Sequence, residues 1–290
     1  MYTIIYNPLS GTFSEKVLNT IVEMLKGRGH DCALRPTQYH GHATELAAEA
    51  VREGAKGVIS YGGDGTANEV LNGMVGGDVP LLIAPSGTGN DMIRTLKLPP
   101  DPVRALEMQL DGNICRMDAI QINDRWCMNV AGLGVDVTVL REYEALRGKM
   151  HNGVAYKLAI LLTLKKFHAE KMRMSVDGGA FKDIAFTFLS FGNGIYLGSG
   201  MKCVPSADPF DGILDVMMVK PLCVPLIMCI LPLFFAGLHT KLPPVTNMRV
   251  KHVVLESDQP FWMQMDGEIH HMDRADIHLR PAAVCMQLPR

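Results

Sequence analysis

The sequence predicts an α/β N-terminal domain, with a parallel sheet and helices on both faces, followed by a strand-rich C-terminal domain. Three observations carry this. Strand-like and helix-like segments alternate through residues 1–119. After about residue 119 the texture changes to short β segments separated by turn signals. Glycine strings stand where strands of the first part hand over to helices.

The elements follow in order. Ile4-Ile5-Tyr6 reads as the first strand. Thr12-Phe13-Ser14-Glu15 has the form of a capping box. Val17, Leu18, Ile21, Val22 and Leu25 follow at helical spacing, and Gly27 and Gly29 stop that helix. Cys32-Ala33-Leu34 is a second strand. Ala43, Leu46, Ala47, Ala50 and Val51 form another helical stripe, ended by Gly54 and Gly57. Val58-Ile59-Ser60-Tyr61 is the third strand, and residues 79–84 are the next. Such alternation argues a parallel sheet, with ligands bound at the C-terminal ends of its strands. In the second part, residues 119–123, 126–131, 172–177, 185–192, 214–219 and 250–257 are strand-like. Asp124, Gly178-Gly179 and Asp266-Gly267 supply turns. Residues 137–168 read as a helical insertion, with Tyr156, Ala159, Ile160 and Thr163 at suitable spacing. The expected domains are 1–119 and 120–290, the C-terminal tail packing back on the first.

Composition bounds the function. A chain of 290 residues, 48% hydrophobic and 20% charged, can build two cores. A net charge of −2 gives no reason to expect nucleic-acid binding. Residues 141–173 hold 8 basic against 3 acidic residues, which suits either anionic lipid or a solvated helix face. The 7 cysteines are scattered without a CxxC pair, as in a reduced cytosolic protein. The N-terminus begins on a strand, so no signal peptide is expected. Residues 222–238 carry no charge, but the run is 17 residues long and is broken by Pro225, Pro232 and Gly237. A spanning helix wants about 20 apolar residues. The segment reads as a helix lying on the domain, either against a bilayer surface or packed internally.

Gly62-Gly63-Asp64-Gly65-Thr66 is the most informative string. Glycines let backbone amides approach oxygens closely, and a following helix N-terminus favours anions. Asp64 cannot contact phosphate, so its natural work is to hold a metal ion or its water beside one. Asn7-Pro8-Leu9-Ser10-Gly11 follows the first strand, and Pro85-Ser86-Gly87-Thr88-Gly89-Asn90-Asp91 follows the fourth. Both belong on the same sheet edge. No GxxxxGK[ST] occurs, and Gly192-Asn193-Gly194 leads into coil rather than a helix. His40/His42 and His270/His271 lack the spacing of a zinc site and read as exposed histidines.

These strings resemble those of the diacylglycerol kinase catalytic-domain family, which includes bacterial lipid kinases, sphingosine kinases and ceramide kinases. The later strings keep the family's order: Asn129-x-x-Gly132-x-Gly134-x-Asp136, Gly192-Asn193-Gly194, Pro205-x-Ala207 through Asp211-Gly212-x-Leu214-Asp215, and Asp266-Gly267-Glu268. The resemblance spans nearly the whole chain. It implies an NAD-kinase-like first domain, a β-sandwich second domain and an active site in the cleft between them. It implies ATP on Asn7, Pro8, Leu9, Ser10, Gly11, Thr37, Gly62, Gly63, Asp64, Gly65, Thr66, Ala67, Asn68 and Thr88. Asp64 would help place the nucleotide's Mg2+. Glu268 would be the general base for a lipid hydroxyl, with Asp266 beside it as a metal or network ligand and, as the minority assignment, the base itself. A second magnesium would lie at Asp211, with carbonyls of Asp208 and Ile213. Without the resemblance, Asp266-Gly267-Glu268 reads as a hairpin turn and Asp211-Gly212 as a surface turn.

Two positions depart from the family. Ser199 stands where many relatives have glycine. Thr12 follows the first turn where several have a basic residue, leaving Lys16 as the nearest cation. The expected protein is a cytoplasmic, peripherally membrane-associated kinase. Its acceptor could be diacylglycerol, phosphatidylglycerol, a sphingoid base or a prenol. Oligomeric state stays open, a homodimer being one option. The rival readings are an NAD kinase, which shares the Gly-Gly-Asp-Gly-Thr string, and a non-catalytic nucleotide-binding module that docks on membranes.

Overall fold

The computed structural model describes residues 1–146, 152–166 and 168–289. The first part runs β1 (Tyr2–Tyr6), α1 (Glu15–Gly27), β2 (Cys32–Pro36), α2 (His42–Arg52), β3 (Gly57–Gly62), α3 (Asp64–Asn72), β4 (Leu81–Pro85), α4 (Asp91–Thr95) and α5 (Pro102–Leu110). Then come β5 (Asn113–Ile122), β6 (Arg125–Cys127), β7 (Val130–Gly134), α6 (Val135–Leu146), α7 (Asn152–Lys166), β8 (Glu170–Val176), β9 (Lys182–Phe186) and β10 (Phe188–Gly192). The chain continues through β11 (Tyr196–Leu197), β12 (Met201–Lys202), β13 (Leu214–Val219), α8 (Val224–Ala236), β14 (Val245–Val250), β15 (His252–Met265) and β16 (Glu268–Leu288).

β2, β1, β3 and β4 form the parallel sheet in that order. β1, β3 and β4 are short apolar runs buried on both faces, as a sheet sandwiched between helices requires, while the edge strand β2 is partly exposed. Leu18, Ile21 and Leu25 of α1 pack with Leu106 of α5 on one face. Ala43, Ala47 and Ala50 of α2 pack with Val70 and Leu71 of α3 on the other. The expected capping box does not form. Ser14 is the N-cap of α1 without a side-chain bond, and the Thr12 hydroxyl donates instead to the Ser86 carbonyl at 2.9 Å. The Thr12 hydroxyl is turned to an acceptor on a neighbouring loop and not to the helix N–H groups a cap would serve.

The second part is a β-sandwich. β15, β16, β5, β8 and β9 face β7, β10, β13 and β14 across a core that includes Ile122, Leu133, Phe186, Phe191, Leu214, Leu255 and Ile277. The helical insertion is two helices, α6 and α7. Arg147 and Lys149 of the expected basic stretch lie outside the described residues. So do the side chains of Tyr156, Lys157, Lys165 and Lys166.

β16 joins the two parts. Its first half pairs with β15 and its second half with β5, and Met286 reaches Leu81 of β4. Val284, Met286 and Leu288 are thereby buried in the core of the first part. A register shift between Arg280 and Val284 permits the change of partner. Asp118 pins it, accepting from the backbone N–H of Ala282 at 2.8 Å and of Gly212 at 2.7 Å.

β4 meets β16 at one position, so most of its outer edge needs another partner. Gln109 of α5, fully buried, supplies it. Its Oε1 accepts from Ile83 N–H at 2.9 Å, and its Nε2 donates to the Ile83 carbonyl at 2.7 Å. Gln109→Leu should therefore strand both groups and cost about 1–3 kcal/mol for each. Urea denaturation measures this, and an unchanged midpoint would refute the edge-capping role.

Candidate active site

The glycine loops meet at the C-terminal edge of the parallel sheet. Gly63 and Gly87 touch backbone to backbone: a Cβ on Gly87 would lie 2.7 Å from the Cα of Gly63. The first turn joins them through Ser10, whose hydroxyl donates to the Ser86 carbonyl at 2.8 Å. A Cβ on Gly11 would lie 3.1 Å from Thr88 Cγ2. Thr37 follows β2 and donates its N–H to the Tyr6 carbonyl. Leu9 is 93% exposed at the mouth. Asn7 accepts from the Leu9 N–H at 2.9 Å, shaping the turn that carries Pro8. The sequence-predicted nucleotide residues from 7 to 88 are thus gathered on one edge.

Asp64 sits beneath these loops in the first turn of α3. Its carboxylate accepts from the N–H groups of Asp91 and Met92 at 3.2 and 3.3 Å. Asp91 lies beside it, accepting from Ser199 and Gly200 of the second part at 2.9 and 2.7 Å. Burial pushes the Asp64 carboxyl up against the pull of those amides. Burial raises Asp91 too, and Asp64 adds like-charge repulsion. Paired buried carboxylates with hard oxygen donors suit a magnesium ion, which would relieve that repulsion.

Asp266 occupies the β15–β16 turn with φ of 51°. Its oxygens accept from the N–H groups of Met128 (2.6 Å), Asn129 (2.9 Å) and Val130 (3.1 Å) and from the Cys127 thiol. With its amide oriented to donate, Asn68 Nδ2 lies 3.0 Å from Asp266 Oδ2 and 3.1 Å from the Trp126 carbonyl. These contacts occupy the carboxylate as a network centre. Burial raises it to about 6 despite the amides.

Glu268 is two residues on. Its Oε1 would be 3.8 Å from a Cβ on Gly65, so the gap between α3 and this carboxylate is open. His40 is exposed, as the sequence suggests. Its Nδ1 lies 3.2 Å from Glu69 and 3.7 Å from Glu268. Glu69 also accepts from the N–H groups of Gly41 and Ala43, which holds the His40 loop in place. Burial raises Glu268; His40 and Arg125 oppose this and Glu69 adds to it. No motif spacing could have linked residues 40, 69 and 268.

The expected cation near the first turn has a counterpart elsewhere. Arg94 of α4 lies 3.4 Å from the Gly89 carbonyl and 3.9 Å from Asp91, at the mouth of the loops. At the candidate second-magnesium turn, Asp211 accepts from Ile213 N–H at 3.0 Å and is paired with the Arg249 guanidinium. Asp208 accepts from Phe210 N–H at 3.1 Å. The Arg249 guanidinium therefore supplies the positive charge at that turn.

A cavity of about 860 Å³ opens beside the loops. Asp64, Thr88, Gly89, Asp266 and Gly267 line one end. Val139, Leu140, Phe188, Ile227, Ile230 and Phe234 line the other. α8 buries Ile227, Ile230 and Phe234, while Met228 and Phe235 line the cavity yet stay 49% and 52% exposed, and Leu226 is 42% exposed. Among the described residues no helix is long and apolar enough to cross a membrane. Asp136 also lines the cavity, with the Val137 amide and the Gln264 side chain beside its carboxyl. Burial raises it to about 7, assisted by Glu170.

Comparison with known proteins gives the family. The diacylglycerol kinase catalytic domain matches residues 1–122. The YegS C-terminal NAD kinase beta sandwich-like domain matches residues 129–287. A diacylglycerol kinase of Mycobacterium tuberculosis is 32% identical over 295 residues, covering 99% of this chain and 95% of its own. One from Staphylococcus saprophyticus is 30% identical over 270 residues, covering 91% and 88%. A crystal structure of a diacylglycerol kinase from Bacillus anthracis shares the fold with TM-score 0.74 at 21% identity, covering 99% and 96%. The chain belongs to the diacylglycerol kinase family.

Asp266→Asn would turn a donor toward amides that need an acceptor. It should lower the melting temperature markedly, whereas Glu268→Gln should leave it within a degree or so; equal melting temperatures would refute the network role. Asp136 has a folded pKa of about 7 against 3.8 for the free group. Its protonated form is the stable one, so this contribution is fully present below about pH 4 and lost as pH rises through 7. Asp136→Asn should therefore show a shallower fall in melting temperature between pH 5 and 8 than wild type. Parallel curves would refute the shift.

Proposed function

We propose that this chain transfers the γ-phosphoryl group of ATP to a lipid hydroxyl, diacylglycerol being the preferred acceptor and phosphatidic acid the product. The observation that carries this is the cavity, with glycine loops at one end and aliphatic and aromatic walls at the other. A soluble dinucleotide would waste such walls; acyl chains would fill them. The domain division near residue 120 fits this reading, with phosphate loops on one side and lipid walls on the other.

ATP would lie along residues 7–11, 37, 62–68 and 88, with backbone amides toward its phosphates. Arg94, rather than Lys16, is the cation nearest the loops. Mg2+, when bound beside Asp64 and Asp91, would neutralise phosphate charge. Glu268 would take the acceptor's proton as the hydroxyl oxygen bonds to the γ-phosphorus and the bond to ADP breaks. A carboxyl raised by burial is a better base near neutral pH than a free one. Asp266, saturated by amides, would position Glu268 rather than act as base. The outward face of α8 would rest on the bilayer, letting the acceptor enter sideways; a cytoplasmic, peripheral location follows from this reading.

The test is a labelled-ATP assay on the full chain in mixed micelles, with diacylglycerol, phosphatidylglycerol, sphingosine, a prenol and NAD as acceptors. Labelled phosphatidic acid is expected. Glu268→Gln should lose about 10²-fold or more. Gly65→Ala should raise the ATP Michaelis constant with little change in melting temperature, because the open gap beside Glu268 accepts a Cβ when nucleotide is absent. Label on NAD, or on no acceptor, would overturn the reading.

A further inference from the structure

A second cluster of chemistry-bearing side chains lies at the far end of β15 from the Met265–Glu268 turn. His252 and His278 are direct cross-strand partners, and Asp276 is two residues before His278. Val253, Leu255, Ala275 and Ile277 turn into the sandwich core. The pleat therefore sends His252, Asp276 and His278 together to the opposite face.

Their ligand atoms converge. His252 Nε2 lies 2.7 Å and His278 Nε2 2.9 Å from the same Asp276 oxygen. The two rings stack with centroids 3.9 Å apart. The backbone beneath is pinned on both strands. Asp177 accepts from the N–H groups of Lys251 and His252 at 3.0 and 2.9 Å, and Asn123 accepts from Asp276 N–H at 3.0 Å.

We propose that His252, Asp276 and His278 form a three-ligand site for zinc or a similar first-row divalent ion. Two imidazoles and one carboxylate are a borderline donor set. It suits zinc and its neighbours rather than magnesium or calcium, which prefer oxygen alone. Ligands about 2.05 Å from a tetrahedral zinc are about 3.3 Å apart. The present separations need to open by only a few tenths of an ångström. The stacked rings must also tilt so that the ion lies in both ring planes. At 29% and 31% side-chain exposure, both histidines have room for that rotation. Remaining coordination positions fall to water.

A metal requires an ionised carboxylate and neutral imidazoles, and its binding displaces any protons the rings carry. The hydrogen bond from His252 offsets the burial of Asp276 and holds its carboxyl low. An ion here would clip β15 to β16 and stabilise the folded state by mass action. A second group, His40 with Glu69 and Glu268, also has ligand atoms within reach of one ion. It belongs to the candidate active site and serves as the control.

The test is calorimetric titration of the chelator-treated full chain with zinc alone, with melting temperature followed in parallel. One equivalent should bind and raise the melting temperature. His278→Gln and Asp276→Asn should each weaken binding by at least the ~10-fold that even outer-shell partners command, while His40→Gln should not. Cobalt(II) added to the wild-type chain should give visible bands of an imidazole-ligated ion, a readout independent of any variant's folding. Absence of both binding and bands, or binding abolished by His40→Gln alone, would overturn the proposal.

Discussion

The arrangement depends on one carboxylate accepting a row of backbone amides. Asp266 lies on the turn between two long strands, and the N–H groups of Met128, Asn129 and Val130 converge on it. Two of these donors, Met128 and Asn129, lie in the link between β6 and β7, and the third opens β7. Backbone donors buried without an acceptor are expensive, so the turn and the link fix one another. Glu268 inherits its position two residues further along. Asn68 adds the glycine-loop helix to the same anchor. A single buried carboxylate thus relates three segments spread from residue 68 to residue 266.

Charge is handled differently at each acidic position. Asp64 and Asp91 face one another, Asp64 compensated by amides and Asp91 by amides with Arg94 3.9 Å away. Asp211 has a guanidinium, and Asp118 has two amides across a change of strand partner. Asp136 has only the Val137 amide and the Gln264 side chain against its burial. Ser190, opposite Gly132 of β7, leaves its buried hydroxyl without a hydrogen bond. Sites that keep such groups give up stability locally, and they do so beside cavities and ligands.

Much of this was legible in the sequence because it depends on local pattern. Strand-to-helix handovers at Gly62 and Pro85 and the stripes of α1 and α2 follow from spacing alone. The six ordered strings marked the family, and the uncharged run at 222–238 marked α8. What was not legible depends on distant partners. Thr12 forsook its expected cap for Ser86. Gln109 reads as an ordinary polar helix residue until its contacts with Ile83 are seen. His40 has no motif, because its meaning lies in Glu69 and Glu268. The facing of His252 and His278 is set by strand register, which no window of sequence contains.

The path of β16 has a consequence for synthesis. Val284, Met286 and Leu288 complete the core of the first part, yet they are made more than 170 residues after α5. While the ribosome is still translating the sandwich, the nascent first part lacks that strand and leaves apolar surface of its sheet uncovered. Gln109 guards only the stretch of the β4 edge at Ile83. The two parts cannot mature as independent beads on a string. Their folding is coupled by one late strand, with the slow, non-local contacts that favour transient exposure and chaperone engagement.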